Sequence, residues 1–92
     1  MAAALNRLAD ELAPDTPLAE IQRAWPQTVG ASIAAQAQPN AERGGVVTVA
    51  CSASVWAQEL DLMAPQIIEA LNAALGRRAV QRLRCVATGY RR

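Results

Sequence analysis

The chain contains no histidine, no phenylalanine and no lysine. Without histidine it lacks the commonest general base, the usual metal ligand and the usual partner in a catalytic triad. Without phenylalanine, Trp25 and Trp56 are left as the large aromatic candidates for a core. Cysteine is scarce, with only Cys51 and Cys85. Met1 to Leu12 has no basic start and carries Asp10 and Glu11, so no signal peptide is expected. Both cysteines fall in strand-like segments and read as reduced thiols serving as small buried hydrophobes. No run approaches the ~20 apolar residues of a membrane span, so no membrane partner is expected. There is no CxxC pair, no Walker-type loop and no GxGxxG. Gly44-Gly45 is too short to cradle a phosphate. Glu59 and Asp61 lie two apart on a helical pattern and diverge, so they cannot share acid–base work. These absences exclude the common enzyme classes and leave no catalytic residue, cofactor, metal or small-molecule substrate to expect.

Among the 92 residues, 52% are hydrophobic. That is enough for one core and one domain spanning residues 1–92. The ordered part is expected over about residues 5–87, with 88–92 a short basic tail. Charge is nearly balanced overall, at +1, but unevenly placed. Residues 1–69 hold all eight acids against three arginines, a net −5. Residues 70–92 hold six arginines and no acid. Such a basic end suits a polyanion. The all-arginine basicity fits phosphate recognition and fits, equally, the coding bias of an alanine-rich chain.

Leu5, Leu8 and Leu12 recur at helical spacing and predict a helix over residues 3–13, ended by Pro14. Thr16 is an N-cap candidate, with Pro17 at the first helical position and Glu20 in the first turn. Leu18, Ile21 and Trp25 form the apolar stripe of this second helix. Pro26 is expected to break or sharply kink it at Trp25. A short third helix then follows from Pro26 to Ala35, with Val29 and Ile33 inward. Gln38 to Glu42 reads as a short edge strand, Arg43-Gly44-Gly45 as a hairpin turn, and Val46 to Cys51 as the clearest strand. Ser52 is the expected cap of a long helix over Ala53 to Leu75. Its apolar stripe is Trp56, Leu60, Met63, Ile67, Leu71 and Leu75, which predicts a largely buried Trp56. Pro65 should kink or split that helix. Gly76 reads as its C-cap, with Arg77 and Arg78 beside the negative end. Val80 to Ala87 is the final strand, with Leu83, Cys85 and Ala87 on one side and Arg82 and Arg84 on the other. The economical packing is an α+β fold: a three-stranded sheet covered on one face by helices.

The candidate nucleic-acid contacts are Arg77, Arg78, Arg82, Arg84, Arg91 and Arg92. Arg82 and Arg84 share a strand face, which suits phosphate contact. It suits equally a solvated outer face. No aromatic except Tyr90 interleaves with them, which argues against base-specific readout of single strands.

Three clusters carry a likeness to a known family. The first is Trp25 with Val29-Gly30 and Ile33-Ala34. The second is Val47, Val49 and Ser52, then Trp56-Ala57-Gln58-Glu59-Leu60. The third is Leu71-Asn72 with Leu75-Gly76, then Val80 and Leu83-Arg84. This pattern, from about Leu5 to Ala87, resembles the DciA family of bacterial replicative-helicase loaders. The resemblance implies a KH-like fold and a cytoplasmic, nucleoid-associated role in DNA replication. It implies a DnaB-type helicase and DNA, bound without sequence preference, as partners, and no ATPase activity. The motif residues Trp25, Gly30, Trp56, Glu59, Leu60, Leu71 and Gly76 read as mainly structural. The better-known members carry a long basic extension after the domain, which this chain does not show, and no KH-type GxxG loop is present. An RNA-binding KH-like module and a purely protein–protein adaptor are the competing readings.

Overall fold

The computed structural model describes residues 16–88. The expected helix over residues 3–13, Tyr90 and the arginines Arg91 and Arg92 lie outside them. The described chain runs α1 (Pro17–Val29), α2 (Ala31–Ala34), β1 (Ala37–Arg43), β2 (Val46–Cys51), α3 (Ser54–Leu75) and β3 (Arg82–Ala87). It is an α+β architecture. The strands form one sheet in the order β1-β2-β3. β1 and β2 are an antiparallel hairpin, and β3 returns parallel to β2 after the α3 crossover. No helix among the described residues is long and apolar enough to cross a membrane.

α1 begins as its sequence dictates: the Thr16 hydroxyl oxygen accepts a hydrogen bond from the Ala19 N–H at 3.1 Å. It does not break at Trp25. The helix passes through Pro26 and ends three residues later. A proline inside a helix costs about 3 kcal/mol, but Trp25 is locked from two sides. Its side chain is 1% exposed, and its indole N–H donates to the Ala37 carbonyl at 2.8 Å. The break comes instead at Gly30, whose φ of 95° and ψ of 156° fall in a region that is essentially glycine-only. The expected third helix therefore shrinks to Ala31–Ala34.

Gln22 joins Trp25 in fastening α1 to β1, its side-chain amide donating to the Pro39 carbonyl at 3.0 Å. At the far end of the hairpin the Ser52 hydroxyl donates to Gln36 Oε1 at 2.6 Å. That bond occupies Ser52 as a clasp between strands. The cap of α3 is Ala53 rather than the expected Ser52, and Ala53 makes no side-chain bond. Pro65 does not split α3, which runs unbroken over 22 residues.

The core lies between the sheet and the helices. Ile21 and Trp25 of α1, Val47, Val49 and Cys51 of β2, Leu60, Ile67 and Leu71 of α3, Val80 and Leu83 are all buried. Trp56 departs from its expected burial: it is half-buried and packs on the margin of this cluster. The cause is the rotation of α3. Ala57 and Ala64 face the core, and at 100° per residue Trp56 falls roughly 50° from the Leu60–Leu71 line.

The α3–β3 connection is fixed by two devices. Gly76 takes φ 76° and ψ 16°, and both its N–H and that of Arg77 bond to the Asn72 carbonyl, at 2.9 and 3.2 Å. The Asn72 side chain then acts as a piece of strand. Its Nδ2 donates to the Val80 carbonyl at 2.9 Å, and its Oδ1 accepts from the Val80 N–H at 2.8 Å. Val80 is buried but precedes β3, which starts at Arg82 rather than at Val80.

Candidate nucleic-acid interface

Alternation along β2 and β3 decides what the sheet face turned away from the described helices carries. Val47, Val49 and Leu83 point into the core, so Val46, Thr48, Arg82 and Arg84 point the other way. Register then brings in a residue from β1. Arg43 pairs with Val46, which pairs with Arg82. Ala41, Thr48 and Arg84 make the next row. Three guanidinium groups thus rise from one open face. Arg82 and Arg84 stand about 6.6 Å apart along the strand, and Arg43 about 10 Å across the sheet from Arg82, on standard strand spacings. Ala41, Glu42, Arg43, Val46, Thr48 and Arg84 line a shallow depression of about 340 Å³ there.

Among the described residues, none of the three arginines has a carboxylate partner. Glu42, which lines the same depression, accepts at its Oε2 from the Gly45 N–H of the turn at 2.9 Å and forms no ion pair with any of the three. Three like charges against one carboxylate, with no ion pair among them, leave the face net positive and favour an incoming anion. The flanking arginines differ from one another. Arg77 is paired with Glu20 of α1 on the helical side, at 2.5 Å. Its pKa is raised by the hydrogen bond to Glu20 and by that charge. Arg78 is exposed.

The structure therefore brings Arg82 and Arg84 together on the sheet face and turns Arg77 toward α1. It adds Arg43, which the sequence reading left out. Its only sequence signal was its place at the hairpin turn, because strand register, not spacing along the chain, sets it beside Arg82. No aromatic side chain lies on this face among the described residues; Trp25 is sealed beneath the sheet.

The thiols are not part of this face. Cys51 is buried. Cys85 has its pKa pushed up to about 12, first by burial and then by the nearby Asp61 carboxylate. Burial, then Asp61, pushes Cys51 up as well. Neither is an activated nucleophile. Among the described residues no group of His, Cys, Asp and Glu side chains could hold a metal ion.

The family model described as "Dna[CI] antecedent, DciA" matches residues 1–85. The chain belongs to the DciA family. A UPF0232 protein of Streptomyces avermitilis is 38% identical over 93 residues, covering 97% of this chain and 51% of that protein. Another, from Streptomyces coelicolor, is 33% identical and covers 97% of this chain and 49% of its own length. A third, from Rhodococcus jostii, is 40% identical over 60 residues, 65% of this chain and 32% of that protein. The chain spans about half the length of the two Streptomyces relatives.

Within this DciA-family chain, most of the quoted motif residues have a structural task. Trp25, Leu60 and Leu71 build the core, and Gly30 and Gly76 supply the backbone conformations at which helices end. Glu59 does not fit that pattern. It is exposed on α3 and has no hydrogen bond or ion pair among the described residues.

Proposed function

We propose that this chain is a non-enzymatic replication adaptor that recruits or loads a DnaB-type helicase on DNA. In this reading the open sheet face makes weak, sequence-independent phosphate contacts. Membership of the DciA family supports the helicase as partner. The observation that carries the DNA half is the group of Arg43, Arg82 and Arg84 on one open face with no carboxylate partner among the described residues. Phosphate contacts position a protein on DNA without reading its sequence, and a face without aromatics has nothing on which to stack bases. The chain would act in the cytoplasm, at the nucleoid.

A salt titration tests the proposal. Neutralising a phosphate on duplex releases counterions, so the log–log slope of affinity against salt is about −0.9 per contact. Three arginines give about −2.7, and Arg82→Glu with Arg84→Glu should flatten this by about two, equally on two unrelated sequences. Tighter binding to RNA than to DNA of the same length would favour an RNA-binding module. No binding at low salt would leave a protein–protein adaptor.

A further inference from the structure

The outer face of α3 is the electrostatic opposite of the sheet face. α3 carries Glu59, Asp61 and Glu69 and no cation. The two exposed large hydrophobics among the described residues are Leu62, 80% exposed, and Val55, 57% exposed. Both lie on this helix, seven residues apart. Val55, Glu59, Leu62, Gln66, Glu69 and Ala73 follow one another at steps of four and three, and all are exposed. At 100° per residue this stripe lies opposite the buried Leu60, Ile67 and Leu71. It runs about 27 Å along the helix. A single exposed leucine needs no explanation. Here the two exposed large apolar side chains among the described residues share one straight stripe, with carboxylates beside them and no basic residue on the helix.

We propose that this stripe of α3 is the protein-docking surface of the adaptor, and that its occupant is a basic amphipathic helix on the helicase. The inference rests on the adaptor reading above and adds which side of the chain faces the helicase. Steps of four and three are the spacing at which one helix lies along another, with apolar side chains at the seam and charges at its flanks. Leu62 is the central anchor, Val55 a second one turn-pair away, and Glu59 and Glu69 meet Lys or Arg on the partner. Charge decides between occupants. A face whose charged groups are all carboxylates repels a polyanion, so DNA stays on the sheet side. The two ligands then occupy opposite surfaces and can be held at once.

The test measures affinity for the replicative helicase of the same organism. It compares the full chain with Leu62→Glu, which removes the anchor and keeps the acidity, and with Glu59→Lys plus Glu69→Lys, which reverses the charge. All these positions are exposed, and an unchanged far-UV circular dichroism spectrum verifies folding. DNA affinity and molar mass by light scattering are read in parallel. Both variants should lose at least about tenfold in helicase affinity. Each should keep DNA binding undiminished and the mass unchanged. Helicase binding by the wild type that survives both variants overturns this assignment alone. So does a concentration-dependent dimer that Leu62→Glu abolishes, since the stripe would then meet a second copy. Failure of the wild-type chain to bind the helicase overturns the adaptor reading and this inference with it.

Discussion

Replacing Asn72 with alanine should cost far more than its place on a helix surface implies. Asn72 is half-buried and spends both halves of its amide on Val80, one donor and one acceptor, at 2.9 and 2.8 Å. Val80 is 1% exposed, so water cannot easily replace what the amide supplies. Each net hydrogen bond contributes about 1 kcal/mol, and a buried group left unpaired costs about 1–3 kcal/mol. Asn72→Ala removes two bonds and strands the N–H and C=O of Val80, for a loss of about 2–4 kcal/mol. In a domain of this size that lowers the melting temperature by roughly 10–30 °C. Urea unfolding is the assay: the midpoint should fall with an unchanged m-value, the mark of a native-state effect. Asn72→Asp keeps the acceptor and loses the donor, so it should fall between the two. A midpoint for Asn72→Ala within about 0.5 kcal/mol of wild type would refute the idea that this side chain anchors the turn into β3.

The two tryptophans should separate. Trp25→Phe leaves the Ala37 carbonyl unpaired in the core and should cost about 2–3 kcal/mol in urea, whereas the half-buried Trp56→Ala should cost about 1.5–3 kcal/mol rather than the 3–5 of a buried site. Cys85 should react with a thiol reagent at pH 8 at least a hundredfold more slowly in the folded chain than in urea, because its pKa of about 12 leaves little thiolate. Its folded value lies above the ordinary 9.0, so the stability it contributes is complete below pH 9 and lost as pH rises toward 12. Urea midpoints between those values should fall less steeply for Cys85→Ala.

Much of the fold is legible in the sequence because its signals are local. The Thr16 cap, the hairpin turn at Gly44-Gly45, the β-branched run of β2 and the Gly76 stop each depend on a few neighbouring residues. The departures come where distant contacts override local preference. Trp25 stays helical before Pro26 because the core and the Ala37 carbonyl hold it. Ser52 leaves its capping role for Gln36, a partner no window around the helix start contains. Trp56 turns to the margin because two alanines set the rotation of α3. The candidate site divides in the same way. Arg82 and Arg84 share a face by period two alone, which any strand reading supplies. Arg43 joins them only through the register of two pairings, and Arg77 leaves them for Glu20, 57 residues away.

The central claim is that one chain presents a basic sheet face to DNA and an acidic, apolar helix face to a helicase. The direct measurement is bridging: labelled duplex DNA is passed over immobilised helicase, with and without the chain, and the DNA retained above the helicase-alone background is read. The account predicts retention with the wild type. It predicts loss with Arg82→Glu plus Arg84→Glu while the chain itself stays on the helicase, and loss with Leu62→Glu because the chain no longer docks. DNA and helicase displacing one another from the wild-type chain would contradict it, since the two faces would then be one.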